Sequence, residues 1–129
     1  MLSKSSLRTP LARVRGLGSA RAGTGHFWVQ RLTGVSNMVL TLIFLGVVIS
    51  LSGKPYPAAI AILSNPLVAI LMLLFVLSAT VHMRIGMQVI IEDYVHGGPK
   101  ILAVMANTFF AIAVGAACVF AVLKLSFGG

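Results

Sequence analysis

The sequence predicts an all-α integral membrane protein with three membrane-spanning helices. Two observations carry this. The 129-residue chain is 58% hydrophobic and only 9% charged, with a mean hydropathy of +1.02, whereas a soluble domain carries roughly 25% charged residues. Its few charges also divide it into lengths suited to a bilayer, since a spanning helix needs about 20 apolar residues. There are 22 uncharged residues between Arg31 and Lys54, 29 between Lys54 and Arg84, and 23 between Lys100 and Lys124.

Residues 1–31 form a basic arm, and residues 32–129 form the membrane domain. The arm holds Lys4, Arg8, Arg13, Arg15, Arg21 and Arg31, six of the ten basic residues. The net charge of +8 does not indicate nucleic-acid binding, because a basic segment beside a span is an orientation signal and a contact for lipid headgroups. No apolar core of the right length follows these charges, so the arm is not a secretory signal. It is expected to be a retained bacterial arm of an inner-membrane protein. Its Arg and Ser content without acid is shared with mitochondrial transit peptides, which makes the mitochondrial inner membrane the alternative location.

The first span is expected at about 32–52. The connector SGKPYPAA that follows has a glycine and two prolines, which signal a loop. The second span is expected at about 66–94, with Pro66 near its first turn, where proline is tolerated, and HGGP ends it. The third is expected at about 101–126, with Ala113, Ala117 and Ala121 at intervals of four as a small-residue stripe for close helix contact. Neither a repeat nor a low-complexity segment occurs. The arm carries six basic residues and the first connector one, Lys54. That asymmetry predicts a cytoplasmic N-terminus and, after three crossings, a periplasmic C-terminus. The single cysteine, Cys118, lies in an apolar run and is expected to pack as a small hydrophobe. A three-helix bundle with buried polar groups is thin, which argues for a partner subunit.

The ionisable groups gather in HMRIGMQVIIEDYVHGG, residues 82–98, which holds both acids of the chain, Glu92 and Asp93, and two of its three histidines. His82 lies about 18 Å along the helix axis from Tyr94, inside the hydrocarbon. An imidazole there is either an axial ligand for haem iron or a hydrogen-bonding group between helices. Gly86, one turn on, leaves clearance for a flat macrocycle or for a neighbouring helix. Asp93 follows His82 by three turns on the same face. The adjoining Tyr94 phenol suits a quinone carbonyl, with Asp93 as a nearby proton source, or belongs to the interfacial aromatic belt. The second polar cluster, GTGHFWVQRLTGVSN at 23–37, brings Trp28 and Phe27 as interfacial anchors. Its Arg31 either snorkels to lipid phosphates or pairs with a propionate or quinone headgroup.

The motifs GHFWVQRLTGV and HMRIGMQVIIEDYV together resemble the small hydrophobic membrane anchor of bacterial succinate dehydrogenase, respiratory complex II, in its alphaproteobacterial form. His82, Gly86, Asp93 and Tyr94 keep the family's spacing, and the resemblance covers nearly the whole chain. It implies that His82 is one axial ligand of a b-type haem shared with a cytochrome b subunit. It implies also that Tyr94 hydrogen-bonds ubiquinone with Asp93 beside it, and that Arg31 lies near the haem propionates and the quinone. The implied partners are the flavoprotein, iron–sulfur and cytochrome b subunits, and the implied process is electron transport from the tricarboxylic acid cycle. Succinate oxidation is expected on another subunit, since this chain has neither a dinucleotide fingerprint nor a cysteine cluster. The alternative is a structural anchor or assembly subunit without cofactor. The resemblance assigns no fixed role to His26, Arg84 or His96.

Overall fold

In lipid a backbone N–H or C=O finds no water, so an apolar stretch must satisfy its polar groups within itself and becomes helical. The computed structural model describes residues 9–16 and 23–127. Five helices follow in order: α1 (Pro10–Val14), α2 (Gly23–Leu51), α3 (Tyr56–Leu63), α4 (Pro66–Tyr94) and α5 (Gly98–Phe127). Among the described residues α2, α4 and α5 are long and apolar enough to cross a membrane. Their 29, 29 and 30 residues correspond to about 43–45 Å, against a hydrocarbon core of about 30 Å. Each span therefore projects into the interface. Lys4, Arg8 and Arg21 of the basic arm lie outside the described residues.

The second span matches its expected bounds, for identifiable local reasons. Asn65 caps α4 by accepting a hydrogen bond from Leu67 N at 2.9 Å, and Pro66 takes the first position, where its missing N–H costs nothing. At the other end Gly97 adopts φ 75°, a conformation open to glycine at no steric cost. The first span begins at Gly23 rather than near 32, because the helix continues through the polar residues of the interface. The third begins at Gly98 rather than near 101. The connector contains helix α3, since Pro55 stands at its N-cap and Pro57 in its first turn, both sites that proline tolerates.

α4 is the central helix, packed against α2 on one side and α5 on the other. Phe44 of α2 stacks on Phe75 of α4, with ring centroids 5.1 Å apart. The close contact with α5 uses Asn107, Ala111 and Gly115, which are buried. The expected stripe of Ala113, Ala117 and Ala121 is exposed instead. Gly115 lets α5 approach until a Cβ there would lie 3.0 Å from Thr80 Cγ2. Asn107 Nδ2 donates to the Arg84 carbonyl at 2.9 Å. Cys118 is half-buried beside α4, as expected of a small apolar side chain. Among the described residues the buried hydrophobic ones are few, namely Ala69, Ile85 and Ala111, so most of the described apolar side chains face outward to lipid or to other subunits.

Candidate functional site

His82 occupies the α2–α4 interface, half-buried. Its Nδ1 lies 3.2 Å from the carbonyl oxygen of Gln30 and 3.1 Å from Oγ1 of Thr33. A carbonyl only accepts, so Nδ1 carries the proton in this contact. The Thr33 hydroxyl spends its own hydrogen on Val29 O at 2.7 Å and presents a lone pair to the same N–H. A neutral imidazole held this way is in the tautomer whose lone pair is on Nε2. Helix packing makes the arrangement possible. Gly34 carries no side chain where a Cβ would meet His82 Cε1 at 3.4 Å. Ser78, one turn before His82, ties the helices by donating to Thr33 O at 3.3 Å. No role for Gln30 or Thr33 follows from the sequence alone. Their signal there is a set of polar and small residues at helical spacing, Gln30, Thr33, Gly34 and Asn37, within an apolar span.

Gly86 follows on the same face. A Cβ there would lie 3.2 Å from Gln30 Nε2, so its open side is met by the α2 amide. Among the described residues the Gln30 Oε1 is buried without a hydrogen-bond partner. An Nε2 lone pair held by acceptors on Nδ1 is the donor set that axial haem ligation uses. The residues present therefore fit an iron ligand at His82.

Asp93 and Tyr94 end α4. Both are exposed, and Tyr94 presents 80% of its surface. Arg31 is exposed on α2 and lies over the Phe27 ring at 4.3 Å, a cation–π contact that leaves its N–H donors available. Trp28 packs edge-on to Phe27. His26 faces α4 across a cavity of about 310 Å³ shared with Gln88 and Glu92. In the same region Glu92 accepts from Gln88 Nε2 at 2.8 Å, and its backbone carbonyl accepts from Lys100 at 3.1 Å. All these groups share one end of the bundle, formed by the start of α2, the end of α4 and the start of α5. His82 lies deeper, between helices, and is not brought into contact with Tyr94.

Three apolar spans, a histidine clasped in mid-bundle and a polar end with a tyrosine–aspartate pair suit a membrane subunit of a redox complex. Residues 5–122 match the family described as succinate dehydrogenase/fumarate reductase transmembrane subunit. This chain belongs to that family. It is similar to the succinate dehydrogenase hydrophobic membrane anchor subunit of Paracoccus denitrificans, 35% identical over 93% of both chains. The subunit of the same name in Rickettsia bellii is 30% identical over 68% of this chain and 70% of its own. The succinate dehydrogenase membrane anchor subunit of Reclinomonas americana is 33% identical over 60% of this chain and 67% of its own. No solved structure matches. The chain is a membrane anchor subunit of succinate dehydrogenase, a multi-pass inner-membrane component of a complex whose enzymatic activity lies on other subunits.

Proposed function

We propose that this anchor also completes two redox sites, a b-type haem held at His82 and a ubiquinone site at Tyr94, shared with cytochrome b and iron–sulfur subunits. The flavoprotein subunit completes the complex, and the lipids of the bacterial inner membrane surround it. The observation that carries the reading is the clasp on His82, whose Nδ1–H faces two acceptors of α2 and whose Nε2 is left free.

Bound there, the haem supplies a one-electron carrier inside the bilayer. His82 would hold the haem iron through Nε2, and the orientation of the imidazole is kept by Gln30 O and Thr33 Oγ1. The missing side chain at Gly86 leaves space that the Gln30 amide borders and that would give clearance to a flat macrocycle. Arg31 pairs with an anionic propionate or polarises the quinone headgroup from the same end of the bundle. Tyr94 donates its phenolic hydrogen to a quinone carbonyl, which fixes the headgroup near the incoming electrons. Asp93, exposed beside it, is the carboxylate through which protons from water reach the quinone oxygens. In this orientation the N-terminus, the end of α4 and the start of α5 face the cytoplasm.

The test is His82→Ala in the intact complex. The expected result is loss of the b-type absorbance, or a shifted spectrum if the partner's ligand retains the haem. An unchanged spectrum and midpoint potential would remove the assignment, and a complex without any b-type absorbance would favour a cofactor-free anchor.

A further inference from the structure

Along α4 four polar residues recur at intervals of four: Thr80, Arg84, Gln88 and Glu92. At that spacing they form one shallow row on the helix surface. The row floors a groove made of two cavities that share Ile85, one of about 310 Å³ and one of about 350 Å³. On one side the wall is α2, through His26 and Val29; on the other it is α5, through Ala111 and Ile112. The groove thus runs about 18 Å, from the end of α4 to its middle.

Arg84 is the unusual member. It stands ten residues before the end of α4, about 15 Å along the axis. With α4 centred in a hydrocarbon core of about 30 Å, that position is about 9 Å inside the boundary. The side chain is half-buried, yet among the described residues its guanidinium has neither an ion pair nor a hydrogen bond. The chain's acids cannot supply one, because Glu92 and Asp93 lie two turns or more nearer the surface and Glu92 is engaged by Gln88. A lipid phosphate is a poor substitute. The Cα–Cβ bond of a helical residue tilts toward the helix N-terminus, which for Arg84 is away from the nearer membrane surface. The guanidinium would have to double back to reach a headgroup.

We propose that this groove seats a membrane-spanning helix of another subunit, and that this helix carries an aspartate or glutamate at the depth of Arg84. Charges inside the bilayer pair with one another or with a polar cavity, and the α2–α5 groove offers Arg84 only an open side. The row at four-residue spacing is the kind of ridge line against which a second helix packs, with Gln88 and Thr80 above and below the charge as further hydrogen-bonding groups. The proposal rests on the anchor reading, since it needs a second membrane subunit in the complex.

The experiment uses the complex purified in mild detergent. A photoreactive amino acid replaces Val81, which is 40% exposed and lines the groove. The cross-linked product is sequenced by mass spectrometry. The expected adduct is a spanning segment of a co-purifying subunit, with an acidic residue within one helical turn of the linked position. An adduct composed only of phospholipid overturns the proposal. In parallel, Arg84→Leu is expected to lower recovery of that subunit by about tenfold or more, because a carboxylate is left unpaired in the interface. Arg84→Leu makes the span more apolar, so poor insertion of this chain is not the cause of such a loss. Replacing the partner's acid by leucine in the same strain is expected to restore recovery. Full recovery with Arg84→Leu alone overturns the pairing while leaving the anchor reading intact. Absence of every succinate dehydrogenase subunit from the wild-type preparation instead overturns the anchor reading itself.

Discussion

Thr33 touches His82 at Nδ1, the nitrogen that the proposed haem ligation does not use, and that makes its effect separable from loss of the ligand. Its hydroxyl accepts from Nδ1–H beside Gln30 O. Such acceptors raise the basicity of the ligating nitrogen, and a more basic ligand favours oxidised iron. Thr33→Val keeps the side-chain shape and removes one acceptor of the two. The expected outcome is a retained b-type spectrum, a higher midpoint potential in a redox titration, and haem affinity lower by about tenfold, near the smaller end of outer-shell effects. An unchanged titration would show that Gln30 O alone orients the ring. Tyr94 calls for a different pair of measurements. Tyr94→Phe removes only a hydrogen-bond donor, typically about 0.5–1.5 kcal/mol, from a side chain that is 80% exposed. Quinone reductase activity is expected to fall about two- to tenfold, while succinate oxidation by a dye that takes electrons upstream stays level. Equal quinone activity in mutant and wild type would return Tyr94 to the interfacial belt.

At the scale of helices, the α4–α5 contact turns on one missing side chain. A Cβ on Gly115 would approach Thr80 Cγ2 to 3.0 Å and its Oγ1 to 3.3 Å, closer than packed atoms sit. Gly115→Ala is expected to destabilise the assembled subunit by about 1 kcal/mol or more, read as a lower thermal midpoint of the complex. Adding Thr80→Ser removes the offending methyl and is expected to recover most of that loss. The contact also shows which parts of the fold were legible. The bounds of α4 were readable because Pro66 and the glycines after Tyr94 act locally, through backbone geometry, while the Asn65 cap emerged only in the structure. The start of α2 was not, because charge marks where the bilayer ends and not where the helix ends. His26 and Arg31 stay helical in the interface. The choice between two small-residue stripes on α5 lay beyond composition as well. Residues 111 and 113 lie on nearly opposite faces, and only the Asn107–Arg84 hydrogen bond and the fit of Gly115 on Thr80 select the first. His82 was readable as an intramembrane ionisable group, whereas its holders on α2 were not, since they are some fifty positions away and pair with it only after the helices cross.

For the whole molecule, charge predicts the direction of insertion. Three helices cross the bilayer, so the two termini lie on opposite sides. Six basic residues precede position 32, and one, Lys54, lies in the connector that holds α3. Lys and Arg near span ends favour the cytoplasmic side. The second connector, between Tyr94 and Gly98, then falls on that same side with Lys100, which donates to the Glu92 carbonyl there. On that reading the polar end of the bundle faces the cytoplasm, the side from which the proposed quinone reduction at Tyr94 would draw its protons. A reporter fused to the N-terminus is expected to read cytoplasmic, and one fused after Gly129 periplasmic. Because the bias is a difference in count, it can be weakened from either side. Replacing Arg13, Arg15 and Arg21 by glutamine while adding three lysines to the 52–65 connector leaves one span-flanking asymmetry in place of another, with three basic residues in the arm against four in the connector. A substantial inverted fraction is expected for that variant. Uniform wild-type orientation would mean that partner subunits, rather than the arm, set the direction of insertion. Both reporters on one side in the wild-type background would instead contradict three crossings.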